Sequence, residues 1–261
     1  MPRILLAIES STEQLSVALL SDEDVMDLEE HGESRQHASA LLPAIDTLLQ
    51  RAGVGLRDLD AIGIATGPGS FTSLRIGLAT VKGLALGSEM LAVGVSTLEA
   101  MALSCLEAPE AGTIAEGDES REPPDEVIAL LDARRDEWYA GGWAKATQRG
   151  GLPIGTLQEG LYSGTRLIEA CASGVRMLTP DAQGWRRVCQ EVGNVPGPII
   201  DGERARPRAD WVGRLAARRL SLGQGIAVSK LEARYLRRAE AEAKRLGAPV
   251  ESGEVAHLDS D

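Results

Sequence analysis

Cysteine is scarce in this chain of 261 residues, and its placement excludes two classes of protein. Cys105, Cys171 and Cys189 are odd in number and far apart, so they form neither a disulfide framework nor a Cys-x-x-Cys zinc or redox pair. They are expected to be buried, reduced thiols. Long apolar runs are missing as well: no stretch approaches the roughly 20 residues that span a bilayer. Met1-Pro2-Arg3-Ile4 leads straight into a strand-like run without a signal-peptide cleavage pattern, so a soluble, cytoplasmic protein without membrane contact is expected. Basic residues are in deficit, 27 against 39 acidic, and the net charge of -12 sets up a field that repels phosphate backbones. If RNA is involved, another subunit must do most of the gripping. Only three histidines occur, His31, His37 and His257. No Ser stands with a neighbouring His and carboxylate, and no Gly-x-Ser-x-Gly elbow occurs, so no nucleophile is recognisable. For His37, at a helix start, a capping role or a partner contact is the plainer reading than catalysis.

What is present is a chain that is 43% hydrophobic and long enough for one large domain or two modest lobes. Ile4 to Ile8 and Ser16 to Leu20 are short aliphatic runs that read as a hairpin, with Val25 to Glu30 as a weaker third strand. From His37 to Ala52, apolar residues recur at Leu41, Leu42, Ile45, Leu48 and Leu49, the spacing of one broad helical face; Pro43 suits only the first turns or a kink. Ala61 to Ala65 reads as a buried strand, Thr72 to Leu86 as a helix ended by Gly87, and Met90 to Val95 as the next strand. Strands and helices in this order make an α/β layer with a mixed sheet. Farther on, Val127 to Leu131 and Trp138 to Ala144 read as strands, and Thr165 to Ala172 and Asp210 to Leu220 as helices. No internal repeat is visible. The expected division is a lobe at 1–104, an exposed acidic loop at 105–126, a second lobe at 127–238 and a charged tail at 239–261.

Two features near the middle of the first lobe carry functional meaning. Gly67-Pro68-Gly69-Ser70-Phe71-Thr72 joins a buried strand to a helix amino terminus, where free N–H groups could hold a phosphate. It lacks the Lys-Ser/Thr ending of a P-loop and the three-glycine spacing of a dinucleotide fingerprint, so a tight turn with Ser70 or Thr72 as helix cap is the simpler alternative. The helix that follows carries two stripes. Leu74, Leu78, Val81 and Ala85 form one; Ile76, Thr80, Gly83 and Gly87 form another, nearly opposite. One stripe can face the sheet. The other needs a second cover, either the helix at Leu41 to Leu49 or a partner protein, and periodicity alone does not choose between them.

These residues resemble the TsaB (YeaZ) family, the smaller relative of the TsaD subunit in bacterial threonylcarbamoyladenosine synthesis. The strongest match is Gly67-Pro68-Gly69-Ser70-Phe71-Thr72-Ser73-Leu74-Arg75-Ile76-Gly77, with Ser73 where glycine is usual; Leu6 to Thr12 is similar to the family's opening strand and turn, with Glu9 where Asp is usual. Gly94 to Leu98, Asp132-Ala133-Arg134 and Tyr235-Leu236-Arg237 fall in the expected order.

The resemblance implies an actin/Hsp70-like (ASKHA, ribonuclease H-like) α/β fold of duplicated lobes with mixed sheets, the second lobe reduced. It also implies a heterodimer with a TsaD-like subunit through the two helices, with His37, Leu41, Ile45, Leu48, Arg75, Ile76, Ala79, Thr80, Gly83 and Gly87 as interface candidates. TsaD-like proteins carry a His-His-Met-Glu-Gly-His stretch whose second and third histidines bind a metal; here Thr97 and Met101 stand at those positions, and a hydroxyl and a thioether cannot replace two imidazoles. No catalytic or metal residue is therefore assigned, and residual nucleotide contact is limited to Ser11, Thr12, Gly67, Gly69 and Ser70. No cofactor is expected in the isolated chain; ATP or ADP and metal belong to the partners. A TsaE-like ATPase would complete the assembly, tRNA would be met indirectly, and the chain alone could form a homodimer. The alternative reading is a metal-dependent hydrolase of the glycoprotease (M22-like) type.

Overall fold

The computed structural model describes residues 2–32, 37–107 and 123–237. β1 (Ile4–Glu9) pairs antiparallel with β2 (Leu15–Ser21), and β2 with β3 (Asp24–His31). α1 (His37–Ala52) leads to β4 (Ala61–Gly67), α2 (Phe71–Leu84) and β5 (Leu91–Ser96), with β4 parallel to both β1 and β5. These elements stand where the hydrophobic periodicities place them. Each of these strands except the half-exposed β3 buries an aliphatic row, and each helix has one broad apolar side. Pro43 lies on the exposed side of α1.

The second half repeats this plan. β6 (Glu126–Asp132), β7 (Glu137–Ala144) and β8 (Ile154–Ser163) form an antiparallel meander. α4 (Gly164–Ala170), β9 (Arg176–Leu178), α5 (Ala182–Val192) and β10 (Ile199–Ile200) follow, with β9 parallel to β6 and β10. The order β3-β2-β1-β4-β5 in the first sheet is matched by β8-β7-β6-β9-β10 in the second. The repeat that is invisible in the residues is thus plain in the topology. β9 and β10 are only three and two residues long, which is the reduction of the second lobe.

Each repeat ends in a helix, α3 (Thr97–Glu107) and α6 (Ala209–Ser221), and both lie between the two sheets. α3 packs chiefly on β6 and β7 of the second sheet, and α6 on β1, β2 and β4 of the first. A helix from the second half of the chain thus completes the core of the first sheet. Leu5, Ala7 and Leu20 on one face of the first sheet are covered by Val212, Leu215 and Ala216 of α6, and β11 (Ile226–Ala227) extends the same sheet beside β5. An apolar sheet face needs cover, and the second half of the chain returns to supply it. Most of the acidic loop and all of the charged tail lie outside the described residues.

The sequence reading gives no helix at 97–107, and burial explains why. Every residue of α3 from Thr97 to Leu106 is buried, against α6 on one side and the second sheet on the other, so no polar stripe marks a helical period. Its two carboxylates are held by α6: Glu99 pairs with Arg219 at 2.5 Å, and Glu107 with Arg218 at 2.7 Å. Arg218 also reaches Glu23 at 2.8 Å in the β2–β3 turn, so one buried guanidinium ties both repeats together. Among the described residues, no helix is long and apolar enough to cross a membrane.

Candidate functional site

α1 and α2 pack side by side on the outer face of the first sheet. Ser70 caps α2, its hydroxyl accepting from the Ser73 N–H, and Ser73, Leu74, Gly77, Leu78 and Val81 face inward. The opposite side is open. Arg75, Ala79, Lys82 and Gly83 are exposed, Ile76 and Thr80 are half-buried, and a Cβ built on Gly83 meets nothing within 4 Å. Beyond the helix, Gly87 turns the chain at φ +78 and Leu86 is 87% exposed. The open arc therefore runs through Arg75, Ala79 and Gly83, one residue from the expected stripe at Ile76 and Thr80, because Ile76 leans back onto the core.

Four interface candidates on α1 are corrected. His37, Leu41, Ile45 and Leu48 are at most 2% exposed, and the three apolar ones belong to the first lobe's own core with Leu6, Val17 and Leu78. Leu42 apart, the broad apolar face of α1 packs on β2, β3 and α2. On α1 the exposed apolar side chain is Leu42, 53% exposed, beside Pro43.

Beside the amino terminus of α2 lies a cleft of about 1140 Å³ between the lobes. Ser11, Thr12, Gly69 and Ser70 line it from the first lobe, Asp132 and Arg134 from the second, and Tyr235 and Arg237 from the carboxy-terminal segment. Of the suggested nucleotide contacts, Gly67 is not among the lining residues. The two turns that would cradle a phosphate are joined to each other: the Ser70 N–H donates to the Ser11 carbonyl at 2.7 Å, and a Cβ on Gly69 would stand 2.2 Å from that same oxygen. Ser70's amide is thereby spent within the protein.

Glu9, at the end of β1, is fully buried. Its Oε1 accepts from the Ser11 N–H at 2.5 Å, and its Oε2 has no protein partner among the described residues. Burial pushes the carboxyl from 4.5 up to about 7, against the pull of its hydrogen bonds with Ser11. The carboxyl is folded back on its own turn and is not among the residues that line the cleft. Thr97 and Met101 are both wholly buried in α3, Met101 against the second sheet. Among the described residues, no group of three or more His, Cys, Asp or Glu side chains could hold a metal ion. His31 lies 3.6 Å from Glu29 on β3, and His257 is outside the described residues. Cys105 and Cys189 are buried, and Cys171 is half-buried with its thiol pushed up to about 11, chiefly by burial.

One cluster escaped the sequence reading. Arg75 stacks its guanidinium 3.8 Å over the Phe71 ring, Tyr235 lies against that ring at 4.9 Å between centroids, and Arg75 Nε donates to the Tyr235 hydroxyl at 3.2 Å. The contact joins residues 160 positions apart, which no local pattern reveals.

Residues 31–156 match the family model of TsaD, described as tRNA N6-adenosine threonylcarbamoyltransferase. The chain is 32% identical over 237 residues to the tRNA threonylcarbamoyladenosine biosynthesis protein TsaB of Escherichia coli, covering 89% of this chain and 94% of that one. Against the Bacillus subtilis protein of the same name, identity is 26% over 240 residues, covering 92% and 96%. A solved structure of YeaZ from Pseudomonas aeruginosa superposes with a TM-score of 0.72 at 28% identity, covering 90% of this chain and all of that one.

Proposed function

This chain belongs to the TsaB (YeaZ) family, and on that premise we propose that it serves tRNA threonylcarbamoyladenosine biosynthesis as a scaffold or activating subunit without a catalytic centre of its own. Its actin-like, ASKHA-type fold of two related lobes is shared with the enzyme subunit whose family model it matches. The observation that carries the reading is the uncovered side of α2. Ala79 and Gly83 present backbone and methyl groups to solvent, with exposed Arg75 on the same helix and exposed Leu86 just past its end, and small residues of this kind let another helix approach closely.

A TsaD-like subunit is the occupant. It performs the transfer of threonylcarbamoyl to the adenosine, while this chain holds it competent; a TsaE-like ATPase completes the assembly. ATP or ADP and metal reside in those partners, and tRNA is held mainly by them, in keeping with the charge of -12 here. The assignment of no chemistry to this chain is supported by Thr97 and Met101, which bring a hydroxyl and a thioether to the places where the enzyme's resemblance calls for imidazoles. It is supported further by the Ser11 to Ser70 bond that closes the phosphate turns on themselves. In the absence of its partner, the same open face would pair two copies of the chain.

Mixed at micromolar concentration with the TsaD-like subunit of its own organism, the purified chain is expected to co-elute with it on size exclusion. After dialysis against zinc or iron it is expected to retain no stoichiometric metal. Separate elution would overturn the scaffold reading, and a tightly held metal ion would overturn the assignment of no catalytic centre.

A further inference from the structure

Residues 231 to 237 have no regular secondary structure, yet they are tied to both lobes. On the first lobe, Leu231 is buried in the core, and the Arg234 N–H donates to the carbonyl of Thr66 at 2.8 Å. The Arg234 carbonyl then passes over Gly67, where an added Cβ would stand 2.7 Å from it. On the second lobe, the Arg234 guanidinium pairs with Glu159 of β8 at 2.8 Å. Arg237 donates to the carbonyl of Ala133 at 2.6 Å and pairs with Glu137, gripping both sides of the β6–β7 turn.

That turn holds three successive non-glycine residues in the left-handed region, Arg134, Arg135 and Asp136, at φ 64, 59 and 60. Side chains avoid this conformation, so it persists only where its surroundings impose it. Within the turn, Asp132 accepts from the Arg134 N–H and Ala133 bonds to Glu137. Arg237 supplies the ties from outside it. Between the two sets of anchors, Tyr235 sits on Phe71 and Arg75, at the amino-terminal end of the open helix face.

We propose that residues 231 to 237 are a strap that latches the lobes across the cleft, and that Tyr235 makes the latch responsive to the subunit docked on α2. In the latched state Tyr235 completes the Phe71 and Arg75 platform and Arg237 holds the strained turn; in the unlatched state both are released. A subunit that covers the platform excludes water from the Arg75 to Tyr235 hydrogen bond and so binds the latched state more tightly. By reciprocity, a latched strap raises the affinity for that subunit. The responsive part rests on the reading of α2 as the docking face; the latching part does not.

Hydrogen exchange of the full chain, alone and with its TsaD-like subunit, separates the two. In the isolated chain, Tyr235→Ala and Arg237→Met are each expected to speed exchange of the Ala133 and Glu137 amides at least tenfold, while β1 and β4 amides stay slow. Tyr235 packs on Phe71 and Arg75 of the first lobe, so its effect on that turn is expected to pass along the strap. In the wild type, docking is expected to slow the same two amides, and Tyr235→Ala should abolish the slowing while the complex still forms. Unchanged turn exchange in Tyr235→Ala overturns the latch. A complex that protects α2 but leaves the turn untouched overturns the coupling. Failure of the wild-type chain to bind at all removes the docking premise and the coupling with it, and the isolated-chain comparison still decides the latch.

Discussion

Between pH 4.5 and pH 8.5, the stability of Glu9→Gln relative to the parent is expected to move by about 3 kcal/mol in the variant's favour. The carboxyl is 0% exposed and burial raises it from 4.5 to about 7 in the folded state. Over that interval the folded chain binds a proton that the unfolded chain has released. Its contribution to stability is therefore complete below pH 4.5 and is lost as pH rises through 7. At roughly 1.4 kcal/mol per pH unit, the interval amounts to about 3 kcal/mol. Gln keeps the acceptor for the Ser11 N–H and cannot ionise, so its own profile lacks this decline. Urea unfolding of both proteins at half-unit pH steps measures the difference; parallel profiles would show that Glu9 titrates as an ordinary carboxylate.

Gly83→Arg is expected to pull stability and association in opposite directions. Glycine is a poor residue for an exposed helical position, and nothing lies within 4 Å of the added Cβ in this last turn of α2, so the fold should gain up to about 1 kcal/mol. The long charged side chain would project from the carboxy-terminal end of the open arc, where a partner helix must come close. Association with the TsaD-like subunit is expected to weaken at least 100-fold, a loss of about 2.7 kcal/mol at the stated tenfold conversion. Thermal melting and titration calorimetry on the same preparation give both numbers. A destabilised variant would mean that Gly83 faces its own core, and an unchanged dissociation constant would move the docking surface elsewhere.

These two sites also show what can be read from residues alone. The elements from β1 to β5 were legible because half-buried strands and amphipathic helices leave periods of two and 3.6 in the hydrophobic pattern. α3 left none, since Leu98, Met101 and Leu106 are matched by buried Thr97, Glu99 and Ser104 on every side. β8 escaped because, as an edge strand with half-exposed residues on both faces, it has no apolar alternation to find. The open face of α2 was legible to within one residue, and Ala79 and Gly83 lie on it. On α1 the inference failed for a physical reason: Leu41, Ile45 and Leu48 mark the side that packs inward, and the exposed surface is carried by the exceptional Leu42. The return of α6 to the first sheet, the buried Arg218 between Glu23 and Glu107, and the contact of Tyr235 with Phe71 are products of topology. They join distant segments whose local sequence gives no sign of the meeting.

The most direct measurement is photo-crosslinking from Ala79, replaced by a photo-reactive phenylalanine analogue, in a mixture with the TsaD-like subunit of the same organism. Ala79 is exposed at the middle of α2, and Gln190, exposed on α5 in the far layer of the second lobe, serves as the control position. The expected result is an efficient crosslink from Ala79 to a helix of that subunit and none from Gln190. Crosslinking from Gln190 with none from Ala79 would contradict the assignment of α2 as the surface through which this chain acts.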